Sequence, residues 1–99
     1  MTQSWIKLNR KVWAETDRGT TLDMTVWLLR TQIEEIETHL KLNHTDKQIM
    51  NKLCDIISLC SRAIERMGYD VNEAMIYRIK HRYQDKVQEI IEKYDKLSK

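Results

Sequence analysis

Ninety-nine residues, 41% hydrophobic and 32% charged, describe one small domain with apolar material for a core but little margin of stability on its own. Two glycines and no proline disfavour an all-β fold and suit long, uninterrupted helices. A net charge of only +2 gives no general case for nucleic-acid or membrane binding. No apolar run reaches the roughly 20 residues that a bilayer span needs, and the N-terminus lacks the apolar block of a signal peptide. The expected setting is therefore cytoplasmic, without a membrane.

Ser4 is placed to cap a first helix through about Glu15, with Trp5, Leu8 and Val12 on one side and Lys7, Arg10 and Lys11 on the other. The segment DRGTT, residues 17–21, holds the first glycine and two hydroxyl caps, so a loop is expected there. A second helix then runs from about Leu22 to Leu40. Its apolar positions Leu22, Val26, Leu29, Ile33, Ile36 and Leu40 alternate spacings of four and three, a heptad-like seam. Met24, Trp27 and Leu28 lie off that seam. They are read either as a second contact surface or as a face that the first helix covers.

Asn43 to Thr45 forms a short turn, and Thr45 with Gln48 makes a capping box for a third helix ending at Met67. Leu53, Ile56, Ile57, Cys60, Ala63, Ile64 and Met67 make one apolar face of that helix, while Asp55, Arg62 and Arg66 fall elsewhere. Cys54 and Cys60 stand about 9 Å apart on it, beyond the about 7 Å reach of a disulfide, and are read as reduced. Gly68 suits a left-handed turn, and Asp70 caps a fourth helix with Glu73 in its first turn. The spacing of Ile76, Tyr83, Val87, Ile90, Tyr94 and Leu97 extends this helix almost to the end, about 40 Å in all. The predicted architecture is all-α, a single-domain antiparallel up-and-down bundle of about four helices completed by dimerisation.

Two charge constellations can carry chemistry. Glu34 and Glu37, three apart on the second helix, can share a hard cation such as Mg²⁺ with Asp55 from an antiparallel third helix. Glutamates at that spacing also occur on many solvated faces. Arg78, Lys80, Arg82 and Lys86 crowd the fourth helix, where Arg78 and Arg82 share a face able to clamp phosphate; a solvated basic face is the plainer reading. Nucleic acid is not expected as a partner, because acidic residues elsewhere cancel so short a basic stretch. His39, His44 and His81 show no spacing that sets two of them on one helical face, so no zinc site is expected.

In order along the chain, VWAETDRGT with Trp13, Arg18 and Gly19, the glutamate-rich LLRTQIEEIETHL, and LCDIISLCSRAIERMGYDVNEAM resemble the MazG-like, all-α nucleoside triphosphate pyrophosphohydrolases. The resemblance covers residues 12 to about 86. It implies a metal site of Glu-x-x-Glu on one helix and Glu-x-x-Asp on the next, holding Mg²⁺ against substrate phosphates. Nucleotide is then hydrolysed at the α–β linkage to a monophosphate and pyrophosphate. Carried onto this chain, Glu34, Glu37 and Asp55 are the expected metal-binding and catalytic residues, and Arg78 and Arg82 the phosphate-binding ones. An alternative register takes Gln32-x-x-Glu35. Lys52 stands where the resemblance expects a carboxylate ligand, and an ammonium there repels a divalent cation. Two expectations follow: an Mg²⁺-dependent nucleotide pyrophosphohydrolase weakened or silenced at Lys52, or a non-catalytic helical module that binds a protein partner or a nucleotide.

Overall fold

The computed structural model describes residues 4–98, which fold into five α-helices with no strand among them. The helices are α1 (Trp5–Thr16), α2 (Leu22–Lys41), α3 (Asp46–Arg66), α4 (Val71–Asp85) and α5 (Val87–Leu97). None is long and apolar enough to cross a membrane. The chain divides into two compact units, Met1–Met67 and Gly68–Lys99.

Helix starts in both units follow the side chains that can receive orphan backbone N–H groups. Thr45 accepts from the Gln48 N–H while Gln48 Oε1 accepts from the Thr45 N–H at 2.9 Å, which completes the capping box of α3. Thr21 caps α2 by accepting from Met24 N at 3.3 Å, and Asp70 caps α4 by accepting from Glu73 N at 3.0 Å. Ser4 occupies the cap position of α1, yet its side chain makes no capping bond. Gly19 and Gly68 take φ of +79° and +93°, the left-handed region that other residues enter only at a cost.

In the first unit α3 is the central element, flanked by α1 and by α2. The four-residue connection folds α2 and α3 into an antiparallel hairpin, with Glu35 beside Lys52 and Thr25 beside Ala63 and Met67. The seam of α2 differs from the predicted one. Leu22, Val26, Ile33 and Leu40 are exposed, whereas Thr25 is buried at 5% exposure and Gln32, Glu35 and His39 are half-buried with Leu29 and Ile36. The helix is rotated so that a small Thr25 and the Glu35 carboxylate meet α3.

A similar rotation applies to α1, whose Trp5, Leu8 and Val12 are exposed while Ile6, Asn9 and Trp13 are half-buried. Its orientation is set by polar anchors. Asn9 Nδ2 donates to the Ser58 carbonyl, Trp13 Nε1 donates to Ser58 Oγ, both at 3.2 Å, and Ser58 Oγ in turn donates to Asn9 Oδ1. Arg10 grips Glu65 with two hydrogen bonds at 2.8 and 2.7 Å. Because α1 packs on α3, it does not cover Met24 and Trp27, which remain exposed. On α3 the buried residues are Leu59 and Ser61; Leu53, Ile57 and Met67 of the predicted apolar face are exposed. A single stripe does not describe a helix that is packed from two sides.

The second unit corrects the expectation of one helix about 40 Å long. The chain leaves helical geometry at Lys86, with φ −123° and ψ −1°, separating α4 from α5. Asp85 and the β-branched Val87 beside that residue are weak helix formers, which lowers the cost of a break there.

Candidate functional site

The first-unit site lies where α2 and α3 face each other. A cleft of about 430 Å³ is lined by Thr31, Glu34, Glu35, Thr38 and His39 from α2 and by Lys52 from α3. Thr31, Glu34, Glu35 and Thr38 share this side because residues three and four apart stack on a helix. At its centre Lys52 Nζ lies 2.5 Å from Glu35 Oε2. The hydrogen bond to Glu35, and then attraction to Glu35 and Asp55, hold the Lys52 ammonium above its ordinary value, although desolvation opposes this. A lysine so placed keeps its proton and serves as a fixed cation, not as a base.

The predicted carboxylates are only partly brought together. Glu34 lines the cleft, whereas Glu37 and Asp55 are exposed and do not line it. Among the described residues no group of three or more His, Cys, Asp or Glu side chains is arranged to hold a metal ion. The residue opposite Lys52 is Glu35, the member of the alternative register. Gln32, its companion, carries a buried Oε1 without a hydrogen-bond partner. Arg78 and Arg82 belong to the second unit, where they line a separate concavity of about 520 Å³ between α4 and α5.

Two features were outside the reach of helical spacing. His39 and His44 meet across the α2–α3 turn, with ring centroids 4.7 Å apart and Nδ1 atoms 2.5 Å apart. Five residues is not a helical repeat. The turn makes the contact through Asn43 at φ +53° and a bond from His44 N to the His39 carbonyl at 2.9 Å. The second is Asp17. Its Oδ1 accepts from Gly19 N at 2.9 Å and Thr20 N at 3.1 Å, while its carboxylate pairs with Arg62 and Arg66 of α3. The signal was present in DRGTT, since aspartate two residues before glycine favours such a turn; its distant arginine partners were not.

Comparison with known proteins finds no matching family model, no matching curated protein and no matching solved structure.

Proposed function

We propose that the chain is a non-catalytic helical module, MazG-like in its sequence pattern, that self-associates through α2. The observation that carries the loss of catalysis is the Lys52–Glu35 ion pair. It sets a protonated amine against the carboxylate that the alternative register offers to a divalent cation. An ammonium at that place supplies positive charge without the Lewis acidity or open coordination positions that phosphate hydrolysis uses.

Self-association is supported by the outward seam of α2. Leu22, Val26, Ile33 and Leu40 keep heptad spacing over most of the helix and are exposed, so they suit a helix from a second copy. Such a partner completes the bundle that one chain leaves open. Light scattering at micromolar concentration tests this reading, with a dimer expected and a monomer counting against it. Thermal unfolding tests the site: the midpoint is expected to be indifferent to millimolar Mg²⁺.

A second reading, an Mg²⁺-dependent nucleotide pyrophosphohydrolase, is favoured by Glu34 and Glu35 sharing one cleft. On that reading Glu34, Glu37 and Asp55 would be the residues to hold Mg²⁺, which would supply Lewis acidity toward the substrate phosphates. Pyrophosphate release from a panel of canonical and modified nucleoside triphosphates decides between the two. Release above background establishes the enzyme and rejects the non-catalytic module.

A further inference from the structure

From the second unit alone we infer that the concavity between α4 and α5 binds the backbone of single-stranded nucleic acid. Arg78, Arg82 and Lys86 succeed one another at four-residue intervals along α4 and its end, which sets their Cα atoms about 6 Å apart on one side. The break at Lys86 lets α5 bring Lys93 and Lys96 to the same concavity. Five cations thus converge on a space of about 520 Å³ that also contains Glu89 and Glu92. Lys86 is engaged with Glu89 at 3.6 Å, and Gln88 donates to Glu92 at 3.5 Å. Arg78, Arg82, Lys93 and Lys96 have no ion-pair or hydrogen-bonding side-chain partner among the described residues.

Like charges at helical four-residue spacing repel, and an anion from outside relieves the repulsion between Arg78 and Arg82, the members of the row without a partner, since Lys86 is engaged with Glu89. The row from Arg78 to Lys86 alone extends about 12 Å, and α5 lengthens it, a reach suited to successive phosphates of a chain. Tyr77, Tyr83 and Tyr94 stand next in sequence to Arg78, Arg82 and Lys93, and all three are well exposed. None of these rings lines the concavity, since neighbours on a helix point to different sides, so what favours a nucleic-acid strand over a compact oligophosphate is the spacing of the cationic row, close to that of successive backbone phosphates.

Fluorescence anisotropy of the full chain with labelled 20-nucleotide oligo(dT) and oligo(U) tests the inference. Binding is expected at 50 mM salt, and neutralisation of about four phosphates weakens it about 50-fold at 200 mM. Arg82→Glu with Lys93→Glu is expected to lower affinity at least tenfold. Arg82→Gln with Lys93→Gln, which is gentler on the helices, is expected to lower it at least fivefold. Lys7→Glu with Lys11→Glu on α1 makes the same charge change as the first pair and is expected to leave affinity within twofold. Absence of binding at 50 mM salt, retention of affinity in both double variants at Arg82 and Lys93, or an equal loss in the α1 control overturns the inference. Displacement of the oligonucleotide by inorganic tripolyphosphate at equal phosphate concentration also overturns it, in favour of a small-anion site.

Discussion

Asp17 shows how one side chain can govern an architecture. Its carboxylate closes the α1–α2 turn through two backbone N–H groups and also receives the guanidinium groups of Arg62 and Arg66. With only 14% of the side chain exposed, these partners are poorly served by water if it is removed. Asp17→Ala is expected to cost about 2 kcal/mol, read as a lower urea midpoint with an unchanged slope. Lys52 acts differently, since it is raised above its ordinary value by Glu35 and Asp55. A group raised in the folded state lends its stability fully below its unfolded value and loses it as pH rises through the folded one. The Lys52–Glu35 contribution is therefore expected to persist at neutral pH and to fade only above the ordinary lysine value of 10.5, in a pH series of thermal melts compared with Lys52→Met. The cysteines offer a third check. Burial pushes the Cys60 thiol up, while Cys54 is exposed, so alkylation at pH 8 is expected to label Cys54 first.

At the scale of helices, amphipathic spacing located the elements better than it located their faces. The starts of α2, α3 and α4 were legible because Thr21, Thr45 and Asp70 cap by local chemistry. Thr45→Ala removes half of the capping box and is expected to cost about 1 kcal/mol in a urea melt. The packed face of α2 was not legible. Four residues of its apolar seam, Leu22, Val26, Ile33 and Leu40, are exposed, and the half-buried side holds Gln32, Glu35 and His39 with the other two, Leu29 and Ile36. That choice depends on Lys52, which is 17 residues beyond Glu35 and invisible to any periodicity within α2. The exposed seam makes a sharp expectation: Val26→Asp with Ile33→Asp converts a dimer to a monomer in light scattering while leaving helical circular dichroism in place. An unchanged dimer places the interface elsewhere. The division of the predicted fourth helix belongs here too, because Lys86 lies in a run with no glycine or proline to announce a break.

Over the whole molecule, the described residues bury few large apolar side chains, with Leu59 and Val71 the buried hydrophobic residues. With so small a core, the self-association proposed above is expected to add stability, read as a melting temperature that rises with protein concentration. A midpoint constant over a hundredfold dilution series argues for a self-sufficient monomer. The sequence by itself determined the all-α class, because the absence of proline and the regular apolar spacing leave no competing local structure. It also determined three caps and two glycine turns, since these are set by residues within a few positions of one another. Tertiary structure alone decided which face of each helix is covered, that Lys52 meets Glu35, and that His39 touches His44. These pairings come from how helices rotate against one another. That rotation is set by contacts between residues distant in the chain, and no local pattern contains them.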